Sequence, residues 1–237
     1  MSHLITVEIA ANSFHSALDA QQGGAHRVEL CEFLEGGGVT PSYGSLALTR
    51  EHLRIPLFVL IRPRVGDFVY DEYERDIMLR DIDMCRRLAC DGVVVGALTQ
   101  DGEIDLALCS ALIAAAGTMA VTFHRAFDVV ADPGQALETL TALRVDRILT
   151  SGQARTAMEG LIRLTQLAQK AAGRISIMPA SGINAQNVRQ ILAATDVNEI
   201  HIGSAVTAIK HDSSAEWFAA ARGVVEAQKV RDLRRYM

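Results

Sequence analysis

The chain has 237 residues, 49% of them hydrophobic, so it can bury a sizeable core, and a single α/β barrel of this length is common. Its 23 basic and 28 acidic residues leave a net charge of −5 without any long basic run, which argues against nucleic acid and anionic membranes as partners. No apolar run approaches the roughly 18 residues of a membrane span, Met1–Glu8 lacks a signal-peptide pattern, and four cysteines are too few for a disulfide scaffold; a bacterial-type cytoplasm with reduced thiols is the expected setting.

In chain order, short β-branched runs alternate with helical patterns. A strand at Leu4–Ile9 precedes a helix at Ser13–Gln22, and a strand at Arg27–Cys31 precedes a helix at Ser42–Arg54. Strands at Pro56–Ile61 and Gly92–Gly96 are followed by helices at Glu72–Ala89 and Leu106–Ala116. Strands at Met119–His124 and Arg147–Thr150 lead to helices at Gly134–Leu143 and Ala157–Ala172. Strands at Ile175–Met178 and Glu199–Ile202 lead to helices at Ala185–Thr195 and Ala215–Val230. The helical readings rest on apolar spacing. Leu108, Leu112 and Ala115 form one wide stripe with Cys109, Ile113 and Ala116, and the third helix places Ile77, Met84, Cys85 and Leu88 together. Eight strands alternating with eight helices predict a closed parallel (β/α)8 TIM barrel, one domain over residues 1–237. An open doubly wound sheet would carry a glycine-rich dinucleotide turn after its first strand. Ala10-Ala11-Asn12-Ser13 is not one, so no nucleotide cofactor is expected.

Thr122-Phe-His124-Arg125-Ala-Phe-Asp128 stands out because a buried strand has little reason to end in an imidazole, a guanidinium and a carboxylate. In a barrel the site lies at the C-terminal strand ends. Strand alternation pairs Glu29 with Cys31, Thr122 with His124, Ile148 with Thr150, and Glu199 with His201 and Gly203. With those faces inward, Glu8, Glu29, Cys31, Arg62, Thr122, His124, Thr150 and His201 converge on one axis. A satisfied core group explains any one of them; eight strand ends together favour a site. Glu8, Glu29, Arg62, His124, Arg125 and Asp128 are the catalytic candidates.

The loops add anion-binding candidates. Glu35–Ser42 offers glycine backbone, with Thr40 or Ser42 near a helix start. Arg62-Pro-Arg64-Val-Gly-Asp67-Phe68 resembles a carboxylate or phosphate clamp. Thr150, Ser151 and Gly152 follow the sixth strand, Ser181 and Gly182 the seventh, and Gly203 and Ser204 the eighth, where many barrels bind phosphate. Tight turns alone would account for the same residue types.

No Cys-x-x-Cys or His-Glu-x-x-His run exists, which argues against structural zinc. A soft Cu(I) site could still form across the barrel from Cys31, His124, Met178 and His201. Cys31 is the cysteine at the mouth and a candidate thiol nucleophile if His124 lowers its pKa. Cys85, Cys90 and Cys109 read as core or turn residues.

Five segments together resemble the CutC family. They are Arg27-Val-Glu29-Leu-Cys31, Gly37-Gly-Val-Thr-Pro-Ser42, Ile61-Arg-Pro-Arg-Val-Gly-Asp-Phe68, Thr122–Asp128 and Leu149-Thr-Ser-Gly-Gln153. The resemblance covers essentially the whole chain. It implies a (β/α)8 barrel, a cytoplasmic protein assigned to copper homeostasis, Cu(I) binding through cysteines near the mouth, and self-association into a homodimer or higher homo-oligomer. Cys31 matches a family copper thiol. Where members often carry cysteine after the first-strand glutamate, this chain has Ile9-Ala10-Ala11, and the loop after the eighth strand reads as short, with helix resuming by about Ser214.

Three readings follow. One is a copper-handling protein using Cys31. Another is a barrel lyase, isomerase or hydrolase acting on an anionic, phosphorylated or carboxylated metabolite, with His124 or Glu29 as general acid/base and Arg62 and Arg125 as anchors. A third is a non-catalytic assembly barrel.

Overall fold

The computed structural model describes residues 5–210 and 222–237. Eight parallel strands form one sheet in the order β7-β6-β5-β4-β3-β2-β1-β8. They are β1 (Thr6–Ala11), β2 (Arg27–Leu30), β3 (Leu57–Leu60), β4 (Gly92–Val95), β5 (Ala120–Phe123), β6 (Arg147–Thr150), β7 (Ser176–Pro179) and β8 (Glu199–Ile202). β7 and β8 lie in contact, bringing the two ends of the sheet together as a barrel.

Seven helices connect the strands: α1 (Phe14–Gln22), α2 (Tyr43–His52), α3 (Glu72–Arg87), α4 (Leu106–Ala116), α5 (Pro133–Ala142), α6 (Leu161–Ala171) and α7 (Val188–Thr195). Their starts follow from local chemistry: Ser13, Ser42, Asp105 and Asp132 each accept a backbone N–H of the first turn. Asp71 and Glu74 form a reciprocal capping box on α3.

Strand alternation divides the core. Val7, Ile9, Val28, Leu30, Val59, Val93, Val121, Phe123, Ile148 and Ile200 pack outward with the helices. Inside the barrel, Cys31, Phe58, Leu60 and Val94 form one apolar group, and Leu149, Met178 and Ala180 another. Both faces of each strand are covered, as a parallel sheet requires.

Four expectations change. β1 continues to Ala11, so Glu8 lies mid-strand, below the mouth. In β6 the inward residues are Arg147 and Leu149, while Ile148 joins the helix-facing core and Thr150 shares its face. Ile77 is exposed, and α3 buries Met78, Ile82 and Cys85 instead. After β8 the chain makes a 3-10 turn and an antiparallel pair, β9 (Thr207–Lys210) with β10 (Arg222–Val225), before α8 (Ala227–Arg234). The connection after β8 is therefore long. The part of the Ala215–Val230 helix expectation at 222–225 is strand, and its residues 215–221 lie outside the described residues, as does Leu4. Asn12 Nδ2 donates to Gly223 O at 2.8 Å and ties the pair to the loop after β1.

Candidate active site

The barrel interior is charged where an apolar filling would serve stability. The register sets Glu8 beside Arg27 and His201, and Thr122 beside Arg147. Arg27 donates to Glu8 through Nε at 2.5 Å and to Glu199 through Nη2 at 2.6 Å. Arg147 reaches Glu199 at 3.2 Å and Thr122 Oγ1 at 3.2 Å. Both guanidinium groups lie over the Phe58 ring, 4.7 and 5.0 Å from its centroid. Glu8 and Thr122 were sequence candidates, but Arg27, Arg147 and their bridging by Glu199 were not; an arginine as the first residue of both β2 and β6 was the available signal.

Above the floor sits a chain of three groups. His201 Nδ1 lies 2.7 Å from Glu8 Oε1, and His201 Nε2 lies 3.7 Å from Glu29 Oε2. Burial alone would raise the Glu8 pKa, but Arg27 and then His201 outweigh it and hold it at about 2. Burial also opposes charge on His201; the Glu29 and Glu8 carboxylates overcome this and raise its pKa. Glu29 goes the other way: burial, helped by the nearby Glu8 charge and opposed by His201 and Arg27, lifts it to about 7. A carboxyl balanced between its two forms near neutrality is suited to proton transfer.

Glu29 and His201 line a cavity of about 490 Å3 at the C-terminal end of the barrel. Cys31, Arg62, His124, Arg125 and Asp128 share its walls, as do Ser181, Gly182, Gly203 and Ser204. Of the eight residues expected to converge, Glu29, Cys31, Arg62, His124 and His201 line this cavity, whereas Glu8, Thr122 and Thr150 do not.

Arg62 is fixed by the glycine loop after β2. Its Nη1 donates to Gly36 O at 3.3 Å and Gly38 O at 3.0 Å, and its Nη2 to Gly66 O at 2.7 Å. The loop presents carbonyls to an arginine here, which replaces the expectation that its N–H groups meet an anion. Thr40 Oγ1 accepts the Arg62 N–H, and Ser42 caps α2. Arg62 and His124 both pack against Phe68, with the guanidinium 4.9 Å and the imidazole 5.0 Å from its ring.

Asp128 is held by five groups: Thr150 Oγ1 (2.5 Å), Ser151 N (3.0 Å), Ser151 Oγ (2.9 Å), Gln153 N (3.1 Å) and Arg125 Nε (2.7 Å). Its carboxylate is saturated, so it orients Arg125, whose Nη2 also meets Ser151 Oγ at 3.0 Å. Thr150 and Ser151 are fully buried in this arrangement and do not line the cavity. Gly152 lies against the Gly160 carbonyl, where a Cβ would come within 2.6 Å. Arg64 and Asp67 pair with each other at the rim, and Arg64 also pairs with Glu74. Glu8 and Met178 are likewise absent from the cavity wall, one layer down.

The donor set does not suit a resident metal. Met178 Sδ accepts from Arg27 Nη2 at 3.2 Å, and both nitrogens of His201 face carboxylates. Burial pushes the Cys31 thiol well above its ordinary range, and Glu29, Glu35 and Glu32 push it further. A thiolate ligand or nucleophile is disfavoured there. Among the described residues no three His, Cys, Asp or Glu side chains are grouped to hold an ion.

Fold and site together define a (β/α)8-barrel protein with a polar cavity at its mouth over a buried Glu29–His201–Glu8 cluster. The CutC family model matches residues 5–206, and the chain belongs to that family. A family protein CutC from Xanthomonas axonopodis pv. citri is 51% identical over 222 residues, covering 94% of this chain and 85% of the relative. The Homo sapiens copper homeostasis protein cutC homolog is 46% identical over 201 residues, covering 85% and 74%. The crystal structure of the putative copper homeostasis protein CutC from Streptococcus agalactiae superposes with a TM-score of 0.80 at 34% identity, covering 84% of this chain and 98% of that one. Among the described residues no helix is long and apolar enough to cross a membrane.

Proposed function

We propose that the barrel mouth is a catalytic site that moves a proton on a small anionic metabolite, as a lyase, isomerase or hydrolase does. The observation that carries this is Glu29 in the cavity wall, with His201 and Glu8 aligned behind it at 3.7 and 2.7 Å. Glu8, held ionised by Arg27, favours the imidazolium form of His201, and His201 in turn tunes Glu29. Arg62 and Arg125 supply positive charge to the same cavity, and the small residues after β7 and β8 leave room for a phosphate or carboxylate. His124 serves as a donor in this scheme and Glu29 as the acid/base, because burial and then Arg62 lower the His124 pKa to about 3.

Copper enters this reading as cargo suggested by the relatives' names, with Cys31 its one soft donor in the cavity wall. A thermal-shift panel separates the possibilities. Phosphorylated and carboxylated metabolites are expected to raise Tm in the wild type and less in Arg125→Gln. Cu(I) under reducing conditions is expected to shift wild type and Cys31→Ala alike. Silence across all anions, with a Cu(I) shift that needs Cys31, would reverse the assignment.

A further inference from the structure

One buried nitrogen in the mouth carries a hydrogen that has no partner among the described residues. His124 is 5% exposed, and its Nδ1 accepts the Ala126 N–H at 3.1 Å. In a neutral imidazole one nitrogen accepts and the other donates, so the proton sits on Nε2. That Nε2 has no partner among the described residues. Arg62, 6% exposed, is already engaged: its terminal nitrogens donate to the Gly36, Gly38 and Gly66 carbonyls, and the Tyr70 hydroxyl lies beside its guanidinium. A buried donor left unsatisfied is costly, so the His124 Nε2–H in the cavity wall calls for an acceptor.

The His124 position is prepared rather than accidental. Gly96 faces the ring so closely that a Cβ would lie 2.3 Å from Cε1 and 2.4 Å from Nδ1. The glycine seats the imidazole, and the Ala126 N–H fixes its tautomer.

Resting on the proton-transfer reading above, we infer that the substrate is an anionic carbonyl compound and that the site labilises the C–H bond beside its carbonyl, with the His124 Nε2–H receiving the carbonyl oxygen. The Glu29 carboxylate takes the proton from carbon. The C–H electron pair becomes the C=C bond of an enolate, and the carbonyl π pair moves onto oxygen, where the His124 N–H stabilises it. Glu29 then returns the proton, to the same carbon or to its neighbour after the enediolate has shifted its oxygen-bound proton; no oxidant is involved. A neutral imidazole suits the donor role, as in other barrel isomerases, because it polarises oxygen without needing to be recharged. Phe68 packs on the His124 ring and the Arg62 guanidinium from a segment, residues 62–71, without helix or strand.

The test is proton–deuterium exchange in D2O, followed by NMR, with ribose 5-phosphate, dihydroxyacetone phosphate and pyruvate as probes. Glycerol 3-phosphate and succinate serve as carbonyl-free binding controls in a parallel thermal-shift measurement. Wild type is expected to exchange the hydrogen beside the carbonyl of at least one probe. Loss of an oxyanion donor typically costs about 10²–10³-fold, so His124→Leu is expected to fall by about 100-fold. His124→Gln, which keeps an N–H donor, is expected to retain part of the rate. Gly96→Ala, which alters no functional side chain's chemistry but displaces the His124 ring, is expected to lose exchange while still being stabilised by the control anions. Stabilisation by anions with no exchange in any probe would overturn the carbonyl assignment and leave the anion site standing. Absence of stabilisation by any anion would overturn both. Equal exchange rates in wild type, His124→Leu and Gly96→Ala would also refute the role given to His124.

Discussion

Arg27→Met is expected to destabilise the protein by about 3–5 kcal/mol, the cost of removing one partner from a buried ion pair. Arg27 is the shared cation of Glu8 and Glu199, at 2.5 and 2.6 Å, and Glu8 has no exposed surface at all. Methionine fills much of the volume but leaves two carboxylates facing each other with one fewer countercharge. The loss is a large share of the roughly 5–15 kcal/mol by which domains are stable and corresponds to a fall in Tm of about 10 °C. The effect should depend on pH in a defined sense. Glu8 is depressed from 4.5 to about 2 in the folded protein, so it contributes stability that is fully present above 4.5 and lost as pH falls through 2. Without Arg27 that contribution shrinks, and acid unfolding should begin at higher pH. Chemical denaturation of the two proteins at pH 7 and pH 4 measures both effects. Adding Glu199→Gln should recover part of the loss, because the two changes share a partner.

Glu29→Gln is expected to remove about 10²–10⁴-fold of the exchange activity, the usual share of a general acid/base, and at the same time to raise Tm above neutral pH. The sign follows from the folded pKa, lifted from 4.5 to about 7. The unfolded chain releases this proton first, so stability falls as pH rises from about 4.5 to 7 and stays reduced above it. Glutamine cannot ionise and escapes that penalty. The groups facing Glu29 are His201 from β8, Glu8 from β1 and Arg27 from its own strand. All three remain in the variant. Melting curves of wild type and variant should therefore coincide near pH 4 and separate by a few degrees at pH 8. A lower Tm for the variant at pH 8 would show that Glu29 stabilises the fold and is not held there at a cost for function.

The barrel could be read from the chain because its strands and helices alternate at regular spacing, and the outward residues Val7, Val28, Val59, Val93 and Val121 keep a period of two against the polar inward set. Glu29, His124 and His201 were placed at the mouth by the same alternation and Arg62 by its position at a strand end, and all four line the cavity. Its failures have separate local causes. In β6, Arg147-Ile-Leu-Thr150 is buried on both faces, so alternation fits either parity, and only the packing of Leu149 on Met178 decides it. Glu8 was placed at a strand end because Ala10 and Ala11 carry no strong strand signal, yet both are buried in β1. The Arg222–Val225 strand was hidden in an apolar pattern that also suits a helix, although Val224 and Val225 are β-branched. The paired arginines over Phe58 and the contact of Gly96 with His124 join residues distant in sequence, which no local pattern records.

The most direct test of the proton-transfer account is the titration of Glu29 itself, followed by NMR of the 13C-labelled glutamate carboxyl groups with Glu29→Gln for assignment. The account predicts one buried carboxyl titrating near 7 and absent from the variant, while Glu8 stays ionised down to about 2. A Glu29 carboxyl that titrates in the ordinary range, at about 4.3, would contradict it.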